Sequence, residues 1–206
     1  MNADKIPDII VGRLPIYLRA LQRMAIQGMK TTSSQELGDS VGISAAQIRK
    51  DISQFGEFGK QGTGYSIPFL TGKLREILKV DRTWDVAIVG LGDMGHALAR
   101  YGRFGERGFR VALLFDSDPA KIGQKVGDFV IEDVAQLVER VRACRIQLAM
   151  VAVPAAGAQD VADKLVQAGV RAILNYAPTA ISVPESVYVQ HIDPAAHLQR
   201  MTFYLD

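Results

Sequence analysis

Gly90, Gly92 and Gly95 stand in the spacing G-x-G-x-x-G, and Asp116 follows about 20 residues later. These residue types at this spacing suit a dinucleotide. The first glycine permits a tight turn. The second lets backbone approach a pyrophosphate, and the third lets the following helix pack close to the strand before it. The expected cofactor contacts are therefore Gly90, Leu91, Gly92, Asp93, Met94 and Gly95. Asp116 suits the ribose hydroxyls, and its charge would repel a 2′-phosphate, which favours NAD over NADP. Asp118 is the rival acid, but it precedes Pro119 and fits a turn better. A nicotinamide enzyme also needs a proton donor or a site for a hydride-accepting substrate. The histidines are His96, His191 and His197. His96 directly follows the third glycine, and the other two lie near the C-terminal end. No His–Asp pair, Ser-Tyr-Lys set or metal-ligand cluster is apparent. A binding function is expected, with no catalytic residues and no metal. A small NAD-dependent oxidoreductase is the rival, and a nucleotide-binding scaffold without DNA contacts is a third reading.

Those residues need a strand before them and a helix after. Four apolar residues, 86–89, run straight into Gly90 and suit a strand buried on both faces. A helix is predicted over 95–103, carrying Tyr101 and turning its free N–H groups toward phosphate. A second strand over 110–115 delivers Asp116. Strands near 129–131, 148–153 and 172–174 then alternate with helices over 134–141 and 158–168. This alternation gives a doubly wound parallel sheet whose ligands lie at the C-terminal strand ends. Val153 and Pro154 end one strand and Asn175 ends another, so these line the nicotinamide half of the site.

The chain ahead of the sheet reads differently. A helix is predicted over 9–27 from Leu14, Leu18, Leu21 and Met24 on one face, with Pro15 either kinking it or marking its true first turn. Ser33 and Glu36 form a capping box, and Ser44 with Gln47 forms a second. The two short helices they open, joined at Gly42, make a helix-turn-helix. In that geometry the second helix lies in the DNA major groove and presents Ser44, Ala45, Gln47, Arg49 and Lys50. Arg49 suits guanine, Gln47 suits adenine, and Lys50 suits phosphate. A small helical bundle with a solvated basic face is the alternative. Residues 55–65 then read as a β-hairpin with a glycine-rich tip bearing Lys60 and Gln61, the wing of a winged helix. Phe55, Phe58 and Tyr65 argue against a linker there.

Composition agrees with this division. Residues 1–82 hold 12 Lys and Arg against 8 Asp and Glu, so the basic part is the one expected to meet a polyanion. The remainder is slightly acidic. The single Cys144 excludes an intrachain disulfide framework and is expected in core packing. No signal peptide and no apolar run long enough to span a membrane is apparent, so a soluble cytoplasmic protein is expected. Residues 195–205 form a last amphipathic segment with Leu198, Met201 and Leu205 on one face, suited to docking on its own domain or a partner subunit. The expected fold class is α/β: a winged helix-turn-helix domain (1–82), a Rossmann-like dinucleotide-binding domain (83–193) and a C-terminal helix (194–206).

This order resembles the Rex family of redox-sensing transcriptional repressors over nearly the whole chain. The resemblance is carried by Arg13-Leu-Pro-Ile-Tyr-Leu-Arg19, Gln47-Ile-Arg-Lys-Asp51, Gly62-x-Gly-Tyr65, the Gly90–Gly95 loop, Phe115-Asp-x-Asp118 and Ile173-Leu-Asn-Tyr-Ala-Pro178. It implies a homodimer that binds pseudo-palindromic operator DNA when NADH is scarce and leaves it when NADH binds, with NAD as the competing cofactor. It implies a terminal helix exchanged between subunits. It also implies that Arg19, Tyr101 and Asp193 form a polar network that differs between the two states. Pro194 stands where the family often has a large apolar residue.

Overall fold

A computed structural model describes residues 6–60 and 64–205. The chain divides into two compact units, Met1–Arg82 and Thr83–Asp206.

The first unit begins with α1 (Asp8–Val11) and α2 (Leu14–Ile26). The single helix expected over 9–27 is thus broken at Gly12 and Arg13. Pro15 lies in the first turn of α2, where its missing N–H has no intrahelical partner to lose. It marks a helix start and makes no kink. Leu14, Leu18, Leu21 and Met24 are buried, together with Tyr17 and Ala20. There follow β1 (Thr31–Thr32), α3 (Ser34–Val41), α4 (Ala45–Ser53), β2 (Gly59–Lys60), β3 (Gly64–Ser66) and α5 (Ile67–Ile77). The Ser33–Glu36 capping box is complete. The Ser44–Gln47 box is only half made. Ser44 Oγ accepts the Gln47 N–H at 3.3 Å, but the Gln47 side chain turns away to Asp51. Leu37, Ile48, Ile52, Leu70 and Leu74 share one core with α2. Phe55 and Tyr65 are buried in it and Phe58 packs against it, which fixes the segment leading into and out of the wing. β3 pairs antiparallel with β2 through Gly59↔Tyr65 and with β1 through Thr32↔Tyr65. β1 was not expected, because two residues are too few to show alternation. The wing tip, including Gln61, lies outside the described residues, and of Lys60 only the backbone is described.

The second unit contains β4 (Trp84–Val89), α6 (Asp93–Ala99), β5 (Phe109–Asp116), β6 (Lys125–Val126), β7 (Phe129–Asp133), α7 (Leu137–Ala143), β8 (Leu148–Val151), α8 (Ala155–Ala168), β9 (Ala172–Asn175), β10 (Tyr188–His191) and α9 (Pro194–Thr202). Its sheet has the order β10-β9-β8-β4-β5-β7-β6. β6 is antiparallel to β7, and the other pairings are parallel. With β6 set aside, this is the order of a doubly wound dinucleotide-binding sheet. β4 is central. Ala87 and Val89 enter one core with Phe115 and Val151, while Val86 and Ile88 enter another with Leu114 and Met150.

Four expectations change. α6 stops at Ala99, well short of 103, because Gly102 and Gly105 weaken helix propensity beyond it. Tyr101 therefore sits in a loop. β6 and β10 extend the sheet where no strand was expected. Cys144 is exposed at the end of α7, outside the core. The terminal helix starts at Pro194 and ends at Thr202, so Leu205 lies past it.

Candidate functional site

The glycine loop leaves β4 at the point where the sheet changes direction, with β5 on one side and β8 on the other. Open α/β sheets bind ligands at such a point. Gly90 has φ +94°, and a β-carbon there would stand 2.5 Å from the carbonyl oxygen of Ala152, just past β8. Its N–H donates to Phe115 O at 2.8 Å. A β-carbon at Gly95 would overlap the Gly90 carbonyl, so α6 touches the loop directly. At Gly92 nothing lies within 4 Å of a β-carbon, and the residue is exposed. The three glycines thus divide as the fingerprint requires: one turn, one open approach and one close packing. That arrangement, with the first turn of α6 beyond it, fits a pyrophosphate. Asp93 and Met94 begin α6 exposed, whereas the Leu91 side chain is buried in the core and only its backbone faces the loop.

Asp116 is brought to this loop by β5. Its carboxylate accepts the Leu91 N–H at 2.7 Å, the Asp118 N–H at 2.8 Å and the Lys121 Nζ at 3.2 Å. Burial raises its pKa, but these donors outweigh burial and hold it below the usual carboxylate range. Asp116 therefore anchors the loop as well as lying beside it, with its side chain 8% exposed. Asp118 has the turn role expected of it, accepting the Ala120 N–H at 2.9 Å.

At the C-terminal strand ends, Val153 is half-buried and Pro154 precedes α8, exposed. Asn175 differs from expectation. It is fully buried, and its amide is engaged on both sides. Oδ1 accepts the Ala177 N–H at 3.0 Å, and Nδ2 meets Thr179 O at 2.8 Å and His191 Nδ1 at 3.1 Å. Its side chain braces the 175–179 loop and presents no free donor to a ligand. Tyr101 is 43% exposed and packs edge-on against Phe104 at 4.9 Å. Asp193 caps α9, accepting the Ala195 N–H at 2.9 Å, and Pro194 takes the first helical position. Arg19 is exposed on α2 in the other unit.

In the first unit α4 turns Ala46, Arg49, Lys50 and Ser53 to solvent, with Ser44 exposed at its cap and Ala45 and Gln47 half-buried. Arg49 Nη1 donates to Ser34 Oγ at 2.8 Å, which ties it to the start of α3. The inner face of α4 carries a residue to which sequence reasoning gave no role. Asp51 is fully buried between Ile48 and Ile52. It accepts from Arg13 Nε at 2.6 Å and Nη2 at 2.8 Å, from Tyr17 OH at 2.6 Å and from Gln47 Nε2 at 2.6 Å. Burial raises its pKa, yet Arg13, Tyr17 and Gln47 together bring it below the ordinary value. Burial, with Asp51 beside it, pushes the Tyr17 phenol up. An acid on an apolar helix face, with an arginine upstream, is the signal that would have found this pair.

A family profile described as "Putative DNA-binding protein N-terminus" matches residues 5–53, and one described as "CoA binding domain" matches 81–179. The "Redox-sensing transcriptional repressor Rex" of Chloroflexus aggregans is 52% identical over 99% of this chain and 96% of its own. The chain belongs to the Rex family. The protein of the same name from Streptomyces coelicolor is 41% identical over 97% of this chain and 77% of its own. Among solved structures, RSP "in complex with beta-NAD+ and operator DNA" is 34% identical, with a TM-score of 0.93 over 97% of this chain and 92% of that one. RSP "in complex with beta-NADH" is 32% identical, with a TM-score of 0.88 over 98% and 94%. Family membership confirms the winged helix-turn-helix and the Rossmann-like sheet. Both relatives carry the name of a transcriptional repressor, not of an oxidoreductase. Among the described residues, no helix is long and apolar enough to cross a membrane.

Proposed function

We propose that the chain is a transcriptional repressor of the cytoplasm that binds operator DNA as a homodimer and is released by NADH, so that it reports the NADH/NAD ratio. The observation that carries this is the join, in one chain, of a helix-turn-helix unit to a glycine loop at a sheet's switch point. In this reading α4 enters the major groove, with Ser44, Ala45, Gln47, Arg49 and Lys50 on the DNA side, and the wing with Lys60 and Gln61 approaches the backbone. Gly92, Asp93, Met94 and Gly95 hold the cofactor's pyrophosphate through backbone N–H groups. Gly90 and Leu91, whose own N–H groups go to Phe115 O and Asp116, shape the loop against it, and Asp116 fixes both the loop and the ribose side. Val153, Pro154 and the loop braced by Asn175 border the nicotinamide.

NADH and NAD⁺ share the adenosine and phosphate contacts, so those contacts cannot tell them apart. Only differential affinity for two states shifts a population. The nicotinamide loses its positive charge and its planarity on reduction, so discrimination belongs to the strand ends and to Tyr101. Arg19, Tyr101 and Asp193 are the side chains we assign to contacts that differ between the states. The dimer is supported by α9, on which Leu198 and Met201 are 63% and 62% exposed, a face suited to a second copy of the chain. The deciding measurement is operator fluorescence anisotropy at fixed salt, titrated with each cofactor. NADH should lower operator affinity strongly and NAD⁺ weakly. Unchanged affinity at saturating NADH removes the redox reading, whatever the DNA affinity.

A further inference from the structure

The polar cluster under α4 constrains what that helix can show to a base. Asp51 is fully buried, held by the two Arg13 nitrogens and by Tyr17, and its charge is balanced there. An ionised carboxylate is an acceptor only. The Gln47 group that meets it at 2.6 Å must therefore be the amide nitrogen. The reverse orientation would set two unprotonated oxygens in contact. The amide of Gln47 is thus locked in one sense, with its carbonyl oxygen turned away from the buried acid. Gln47 lies in the first turn of α4, one residue from exposed Ala46 and two from exposed Arg49.

We propose that Asp51, itself held by Arg13 and Tyr17, is a positioning residue for base recognition: it fixes Gln47 so that Oε1 is the atom offered outward, and Gln47 therefore selects a base carrying an exocyclic amino group in the major groove. This inference rests on the reading of α4 as the groove-facing helix. Adenine N6 and cytosine N4 are such donors. Guanine presents O6 and N7, both acceptors, and thymine presents O4 and a methyl. A free glutamine flips its amide to suit either pattern. One tied to a buried carboxylate does not. The sequence pattern alone gave Gln47 as a capping-box residue and an adenine partner, so the buried acid narrows its chemistry.

The test uses duplexes selected from a randomised library by the native full-length protein, followed by the same selection with Gln47→Ala and Asp51→Asn. Gln47→Ala should erase base preference at one position in each half-site. At that position the native protein should favour adenine or cytosine over guanine by about ten-fold or more. Asp51→Asn, whose amide can accept as well as donate, should collapse that discrimination while preserving the preferences at other positions. A uniform loss of affinity with the position's preference intact makes Asp51 a structural residue only and overturns the proposal. A native preference for guanine there overturns it as well. A second measurement does not depend on Asp51→Asn folding. Replacing the selected base by its analogue without the amino group, purine for adenine or pyrimidin-2-one for cytosine, should weaken the native protein about ten-fold and leave Gln47→Ala unchanged. No loss in the native protein refutes the proposal. Failure of the underlying reading looks different, because Arg49→Ala and Lys50→Ala would then leave DNA affinity untouched as well.

Discussion

Two glycines three residues apart should differ in stability, though not in the loss of binding, on the same substitution. Gly95→Ala adds a β-carbon that overlaps the Gly90 carbonyl oxygen and stands 2.9 Å from its carbon. Carbon atoms pack at roughly 3.5–4.0 Å and the oxygen overlap is deeper still, so α6 must withdraw from the loop by more than about one ångström. Both clashing atoms are backbone, and no flexible tip can swing aside. Overpacking of this kind costs about 1–3 kcal/mol, and a rigid neighbour argues for the upper end. Gly92→Ala meets nothing within 4 Å, and Gly92 has φ −78° and ψ −167°, which any residue adopts. Its stability should stay within about 0.5 kcal/mol of native. Its methyl nevertheless occupies the space a pyrophosphate needs. Losing one hydrogen bond to a charged group costs about 1.5–3 kcal/mol, or roughly 10- to 150-fold in affinity. Thermal unfolding and NADH fluorescence titration on the two variants separate the effects. Gly92→Ala should be native in stability and poor in binding, and Gly95→Ala poor in both. Native NADH affinity in Gly92→Ala would refute the placement of the phosphates at this loop, and native stability in Gly95→Ala would refute the packing argument.

Other consequences can be checked as directly. Arg49→Ala should cost about 1–3 kcal/mol of operator affinity and relax base preference, whereas Lys50→Ala should weaken all sequences alike and flatten the salt dependence, as read by anisotropy at several salt concentrations. Removing residues 195–206 takes away Leu198, Met201, Phe203 and Leu205. Sedimentation should then show a monomer that has lost tight operator binding, and an intact dimer would overturn the role given to α9. Asp116→Ala frees Lys121 beside the ribose side of the site, so NADH affinity should fall and the preference over NADPH should narrow, measured by paired titrations. Asp51 has a folded pKa below its unfolded value of about 3.9, so its stabilising contribution is present above that pH and is lost as pH falls through the folded value. The N-terminal unit should lose stability steeply below roughly pH 4, and Asp51→Asn should flatten that dependence in thermal scans.

The order of elements was legible because each carried a strong local signal. Val86 to Val89 are apolar on both faces since each face of β4 is covered by its own core, and such a strand has no solvent side to mark with polar residues. Ser33, Glu36 and Gly42 announced α3 and its turn through groups that act within one helical turn. The strands that escaped notice were β1 and β6, of two residues each, and β10, whose residues are largely exposed and show no apolar alternation. The candidate site was legible where spacing itself is the mechanism, as with the three glycines. It was not legible where a side chain's partner is remote in sequence. Arg13 and Asp51 are 38 residues apart, and Asn175 meets His191 across 16. From sequence, Gln47 and Asn175 looked free to meet ligands. The fold gives the first a buried acid and the second a loop to brace.

The bond from the Leu91 N–H to Asp116 bears on how fast such a sensor can answer. A glycine loop left slack would have to be ordered by each arriving nucleotide, and binding would pay for that ordering every time. Here the carboxylate at the end of β5 already holds the loop by its backbone, with Lys121 closing the other side. Arrival then needs little rearrangement of the phosphate cradle, and association is not slowed by a conformational step. Differences between the two forms of the nucleotide would then appear chiefly as differences in residence time. The response time of the regulator would be set by the departure of the bound nucleotide, and a weakened Asp116 anchor would slow the switch at the step of arrival.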